Sequence, residues 1–200
     1  MLTASFDARC DRLVVRDVGA DRIAGSCRVT SPRDALRAGG NAAGKSFDLA
    51  LLIVLRERLV ELDEPWIDPR YPAEQVFTAL LGALTRYLID HRFDHVLATP
   101  EVSTRDGGHV AASLHRQAWV RSMSPDDYRV FPRRRLPLER LSDTRTVSAP
   151  PVLKSFLARG AWICGEPALD PWRDHAAFPL LLPLARMQDR RARRFLAEAA

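Results

Sequence analysis

The chain has 200 residues, 46% hydrophobic and 28% charged, a composition that suits one globular domain long enough to bury a full core. Its formal charge of +5 is unevenly held. Residues 1–132 carry 17 Lys+Arg against 18 Asp+Glu, whereas residues 133–200 carry 13 against 7, with clusters at Arg133–Arg135 and at Arg190, Arg191, Arg193 and Arg194. An excess of this kind suits nucleic acid, an anionic membrane surface or an acidic protein as partner, or simply a solvated basic face. No apolar run is long enough to span a bilayer, and the opening MLTASFDARCDR has no signal-peptide core. The three cysteines, Cys10, Cys27 and Cys164, have neither disulfide-framework nor metal-site spacing. They fit a reducing cytoplasm and a role as small fillers.

In chain order, 12–17 (RLVVRD) and 22–30 (RIAGSCRVT) predict a β-hairpin turned at Val18–Asp21. Residues 31–46, centred on Gly39-Gly40-Asn41, read as a loop. The apolar segment from Phe47 predicts a short helix to about Leu55, then a strand from about Arg58 to Ile67. A helix over 72–90 follows, then a strand at Phe93–Ala98, a polar loop from Thr99 to Gly108 and a helix from His109 to Ala118. Residues 128–138 read as extended, and 150–159 as a helix closed by Gly160. Ala161–Cys164 and Phe178–Leu182 are expected to pair around a 165–177 loop, and a basic helix is expected at about 186–199. The pattern has no repeat and no domain linker, so it predicts a single mixed α/β layer domain over 1–200.

The stretch from Glu61 to Ile89 organises the rest. Pro69 cannot donate to a strand ladder and forces Asp68 extended, so the strand ends there. Pro72 suits a helix start. Val76, Leu80, Leu84 and Leu88, with Phe77 and Leu81 beside them, give the helix one core-facing stripe. A strand running through a turn into a helix leaves backbone N–H groups aimed at one spot, an anion cradle suited to a phosphate or pyrophosphate. This turn lacks the glycines that usually let a backbone approach phosphate closely.

Glu61-Leu62 followed by Trp66-Ile67-Asp68-Pro69-Arg70-Tyr71 resembles the Glu-Leu-Gly-Arg and Pro-Asp-Tyr segment of the ornithine lipid N-acyltransferases, in the hemolysin-like branch of the GNAT acyltransferases. Phe6-Asp7, the run Cys10–Asp17, Ile23–Val29, Ser46–Leu49, Pro150–Ala161 and Cys164–Asp170 resemble further family segments in the same order, so the likeness runs from about residue 6 to about 195.

The resemblance implies a GNAT-like α/β fold, a mixed central sheet flanked by helices. It implies an enzyme that moves a long-chain acyl group from acyl carrier protein to the α-amine of an amino acid, ornithine foremost, as the first step of ornithine lipid synthesis. No cofactor is expected to be tightly bound; the acyl-phosphopantetheine thioester of acyl carrier protein, or of coenzyme A, is the co-substrate. By the resemblance that thioester meets the turn and helix start at Arg70, Tyr71, Ala73, Glu74, Gln75, Val76 and Phe77, and Glu61 is the candidate general base. A carboxylate in an apolar strand suits that task when it is buried. The basic final third would dock acyl carrier protein or the anionic inner membrane, in a cytoplasmic setting.

The chain departs from the family at Asp63-Glu64, which replace Gly-Arg, and at Pro72 and Glu74, which replace a basic residue and a glycine. It also begins almost at the Phe-Asp segment, without the family's preceding Arg-Tyr-Arg-Val-Phe. These departures carry an alternative expectation, a non-catalytic relative that binds acyl carrier protein or a membrane. Other constellations are weaker. His91 and His95 straddle a helix–strand junction and make a poor metal pair. Arg133–Arg135 beside Tyr128 and Phe131 suggest phosphate and base contacts, but no nucleic-acid module surrounds them. Glu166 and Asp170 lie in family-like sequence and are further candidates to face the acyl or acceptor site.

Overall fold

A computed structural model describes residues 1–7, 11–142, 144 and 146–187. The expected basic helix at about 186–199, with its arginine cluster, lies almost wholly outside the described residues, as does Cys10.

Twelve strands are described, in three sheets. The main sheet has the order β1-β2-β3-β5-β6-β12-β9. β1 (Leu2–Asp7), β2 (Arg12–Asp17), β3 (Arg22–Thr30) and β5 (Leu59–Ile67) form an antiparallel meander. β5 then pairs in parallel with β6 (His95–Ala98) through the crossover helix α2 (Ala73–His91), and β12 (Leu180–Pro183) and β9 (Trp162–Ile163) complete the sheet antiparallel. A three-stranded sheet sets β7 (Glu101–Ser103) beside β11 (His175–Ala177) and β10 (Ala168–Asp170). A short pair joins β4 (Phe47–Asp48) to β8 (Phe131–Pro132).

Alternation along β5 divides the core. Val60 and Leu62 face the cluster built on α2, whereas Leu59 joins Phe47, Leu52, Leu97, Val130 and Leu181 on the opposite face. α2 supplies Val76, Phe77, Leu80, Leu81, Leu84 and Leu88, all at most 1% exposed, so the predicted stripe is the core face. Each such side chain contributes about 1.5–3 kcal/mol by leaving water. The helix ends where Arg92 takes a left-handed conformation (φ 60°) and the Phe93 N–H bonds back to Leu88 O at 2.8 Å. α3 (His109–Ser122) and α4 (Pro151–Ala158) pack into the same cluster as α2.

The hairpin, the long strand and the α2 and α3 helices stand where the sequence put them. The 31–46 loop does not stay irregular. Ser31 caps α1 (Pro32–Arg37), accepting from the Asp34 N–H with Pro32 opening the helix, and Ala42–Lys45 form a 3-10 turn. The helix expected from Phe47 is instead the two-residue β4 followed by a 3-10 stretch at Ala50–Leu55. β7 interrupts the Thr99–Gly108 loop, and the 165–177 loop folds into its own β10–β11 hairpin. No described helix is long and apolar enough to cross a membrane.

Candidate active site

β5 and β6 pair only from Leu59↔His95 to Leu62↔Ala98. Beyond Ala98 the chain turns away through Pro100 into β7 of another sheet, while β5 continues to Ile67. From Asp63 to Ile67, one edge of β5 therefore has no strand beside it among the described residues. At about 3.3 Å per residue this open edge is some 15 Å long, and it leads into the turn before α2.

The other edge of β5 carries a bulge. Arg28 pairs with Asp63 and Ser26 with Trp66, so Glu64 and Pro65 together face Cys27, and Glu64 sits at φ 45°. Pro65 suits a position where the ladder is already broken. Glu64 bridges Arg12 Nη1 at 2.8 Å and Arg28 Nη1 at 2.9 Å, and its carbonyl accepts from Arg12 Nη2 at 2.9 Å. These bonds, Arg12's foremost, hold the Glu64 carboxyl below its ordinary range.

Glu61 is 1% exposed. Its two oxygens accept from the backbone N–H groups of Ala42 and Ala43, each at 2.7 Å. The carboxylate thus closes the N-terminal end of the 3-10 turn, where unpaired amides favour negative charge. Asp63, two residues on and on the same strand face, is placed differently. It is partly buried, and its Oδ1 is shut from solvent with no hydrogen-bond partner. Burial raises its pKa; Arg28 and Arg12 oppose this shift, while Glu61 and Glu64 add to it.

The turn after β5 is built by Asp68, 3% exposed. Its N–H bonds to Ala24 O at 3.0 Å, its carboxylate accepts from Arg70 N at 3.0 Å and Nε at 2.8 Å, and Tyr71 N donates to Asp68 O at 3.0 Å. The Arg70 side chain and backbone bonds pull the Asp68 carboxyl down to about 2. Tyr71 Oη reaches Asp17 Oδ2 at 3.2 Å. Pro72 is the N-cap of α2 and offers no side-chain cap. Its carbonyl takes the N–H groups of Gln75 and Val76, at 3.0 and 3.2 Å. The N–H groups of Ala73 and Glu74 have no partner among the described residues. Glu74 is ion-paired with Lys154 of α4.

Of the residues assigned to the thioester, Ala73 and Glu74 present unengaged amides. The Arg70 guanidinium is taken by Asp68, and Gln75 and Val76 have their N–H groups committed to Pro72 O. The Val76 and Phe77 side chains lie in the core, at 0% and 1% exposure, so neither side chain lines a cleft. Gly25 of β3 lets α2 come this close, since a Cβ there would meet Val76 Cγ1 at 2.5 Å and Trp66 O at 2.9 Å. The sequence marked Asp63 only as a charge reversal; its two-residue spacing from Glu61 along a strand was the available signal.

Several of the remaining candidates have structural employment. Tyr128 stacks on Trp162, with ring centroids 5.6 Å apart, and Arg133 Nε donates to Gly44 O at 2.8 Å, so these two members of the suggested nucleic-acid group are engaged within the protein. His91 Nδ1 lies 2.9 Å from Tyr87 O at the end of α2, and His95 stands in β6. Asp170 Oδ1 caps the Trp172 and Arg173 N–H groups of the β10–β11 turn. Burial pushes the Cys27 and Cys164 thiols up to about 12, which leaves them inert as nucleophiles.

Residues 3–82 match the family model for the acetyltransferase (GNAT) domain. A search of curated protein sequences gave no match. Among solved structures, an aminoglycoside 6'-N-acetyltransferase complexed with coenzyme A is similar over 87% of this chain and 73% of its own, at 11% identity and a TM-score of 0.46. The aminoglycoside 6'-N-acetyltransferase from Enterococcus faecium has 11% identity, a TM-score of 0.47 and coverage of 87% and 75%. The CoA-dependent acyl-homoserine lactone synthase BjaI, with MTA, has 13% identity, a TM-score of 0.44 and coverage of 94% and 66%. Likenesses this distant carry no argument about substrate. The family match covers β1 through the first half of α2, the part that holds the bulged strand, the turn and the open helix start, and the architecture is a GNAT-like α/β fold, a mixed sheet flanked by helices.

Proposed function

We propose that the protein is an N-acyltransferase that moves a long-chain acyl group from a phosphopantetheine thioester to the α-amine of an amino acid, with acyl carrier protein as the donor and ornithine as the foremost acceptor. The observation that carries this reading is the open edge of β5, which runs from the Glu61–Asp63 carboxylates to the unengaged amides at the start of α2. An extended, amide-bearing arm can bond to such an edge as an added strand would, with its phosphate at the Ala73 and Glu74 N–H groups. The thioester carbon then lies at the Asp63 end, beside the carboxylates.

The reaction needs the thioester held, the ammonium deprotonated and the carbonyl polarised. Glu61 belongs to the acceptor side, where it fixes the Ala42–Lys45 turn against β5 and adds negative charge facing an ammonium. A long-chain product partitions into membrane, and the basic last third of the sequence suits an acidic carrier protein or an anionic surface. Both features suit a reaction in the cytoplasm, at the inner face of the membrane.

The test is thiol release from long-chain acyl carrier protein and acyl-CoA with a panel of amino acids, products being identified by mass spectrometry. N-acyl-ornithine formed by the purified protein is the expected result. Saturable, salt-sensitive carrier-protein binding without product would instead favour a binding-only relative. That second reading is supported by the Glu74 carboxylate, which competes with a phosphate for the amides of α2.

A further inference from the structure

We propose that Asp63 is the group that accepts the proton from the attacking ammonium, with Glu61 acting as a positioning residue behind it. The inference rests on the acyltransferase reading above and assigns one step within it.

Three observations carry it. Glu61 has no oxygen without a hydrogen bond, since each already accepts a backbone N–H at 2.7 Å from the 42–43 turn. Asp63 has one: its Oδ1 is shut from solvent and has no hydrogen-bond partner, a costly state for a carboxylate unless a donor arrives with a ligand. Asp63 is also the first residue of β5 beyond the last pairing with β6, Leu62↔Ala98, so it stands where the sheet opens.

The bulge explains why Asp63 is not already neutralised. Arg28 is its direct partner across the strand pair, yet the Arg28 Nη1 goes to Glu64 at 2.9 Å, and Arg12 is bound to the same carboxylate at 2.8 Å. Glu64, turned out at φ 45°, occupies both guanidinium groups. Asp63 is left facing Glu61 and Glu64 from its own strand, Arg28 and the Cys27 thiol from β3, and Arg12 from β2. Its raised pKa brings it toward the operating range of a general base.

The step balances as follows. Asp63 takes one proton from the ammonium and becomes neutral. The freed amine attacks the thioester carbon, the N–C bond forms, and the C–S bond breaks. The nitrogen's second proton goes to the departing thiolate, and Asp63 returns its own to solvent.

The experiment compares wild type, Asp63→Asn and Glu61→Gln by thiol release from palmitoyl-CoA and palmitoyl acyl carrier protein, with ornithine and an amino-acid panel, from the lowest pH at which the protein stays folded up to pH 9.5. Asp63→Asn is expected to lower kcat by about 100-fold or more, to leave KM for the thioester within about twofold, and to lack the wild-type acidic limb of the pH–rate profile, gaining rate only at the higher pH where the amine itself deprotonates. Glu61→Gln is expected to keep that limb. An Asp63→Asn enzyme within about threefold of wild type, or loss of the limb in Glu61→Gln alone, overturns the inference and leaves the acyltransferase reading standing. A wild type that releases no thiol with any amine overturns both, and does so before any variant is compared. Should Asp63→Asn fail to fold, carboxyl-carbon NMR titration of the wild type decides. The Asp63 resonance must titrate above the ordinary carboxylate range and in step with kcat; titration at or below that range overturns the assignment.

Discussion

Glu61 Oε2 lies 2.7 Å from the backbone nitrogen of Ala42, nineteen residues earlier in the chain, and Oε1 lies at the same distance from Ala43. A buried carboxylate with no ion-pair partner among the described residues is tolerable here because two amides of a 3-10 turn replace the water it lost. Glu61→Gln keeps the shape but turns an NH2 toward one of those N–H donors. The expected result is a loss of about 1–3 kcal/mol in stability by urea denaturation, with faster hydrogen exchange at Ala42 and Ala43. Equal stability of the variant and the parent would mean that the turn is held by other contacts.

Asp68 makes the turn before α2 sensitive to acid. Its folded value, about 2, lies below the ordinary aspartate value of 3.8, so between these limits the unfolded chain binds more protons. Stability therefore rises with pH through that window: the contribution is complete above about pH 5 and is lost as pH falls toward 2. Asp68→Asn is expected to flatten this part of the acid limb in thermal melts from pH 2 to 6. An unchanged limb would show that Asp68 is not among the groups that set it.

Gly25 marks where the α2 start presses on the sheet. An added Cβ would meet Val76 Cγ1 at 2.5 Å and Trp66 O at 2.9 Å, and the second neighbour is backbone that cannot swing away. Gly25→Ala is expected to cost about 1–3 kcal/mol and to lower Tm. Adding Val76→Ala removes the clash with the side chain but not the one with the carbonyl, so the pair should recover only part of the loss. Full recovery would place the strain in Val76 alone.

What the sequence made legible follows from which signals are local. The α2 stripe, Pro69 and Pro72 are set by near neighbours, and they placed the strand, turn and helix within a residue or two. α1 was legible too, from Ser31, Pro32 and Asp34, but the adjacent Gly39-Gly40 masked those capping signals. β7, β10 and β11 are three residues each, too short for a period to register, and they exist because they pair with one another across the chain. The site divides in the same way. Glu61 was found by resemblance, but whether its oxygens are occupied depends on Ala42 and Ala43. The position of Asp63 at the end of the β5–β6 pairing depends on where β6 leaves β5, and the absence of a bonded cation at its Oδ1 depends on Glu64 holding Arg12 and Arg28. No window of sequence contains those relationships.

The start of α2 offers a direct test of the phosphate site. Glu74 places a carboxylate in the first helical turn, beside its own N–H and that of Ala73, and Lys154 of α4 pairs with it. A carboxylate there is favourable to the helix but competes with a phosphate for the same positive end. Glu74→Gln removes the competitor, keeps the length of the side chain and frees Lys154. With free coenzyme A as probe at low ionic strength, the variant is expected to bind about 2–5-fold tighter, the equivalent of about 0.3–1 kcal/mol. The gain should fade above about 0.5 M salt, where screening shortens the reach of both charges. Lys154→Ala should weaken binding, because it leaves Glu74 unopposed and removes a cation from the phosphate's side. If Glu74→Gln leaves the Kd for coenzyme A unchanged at low salt, the phosphate is held elsewhere and the Ala73–Glu74 amides are only a solvated helix end.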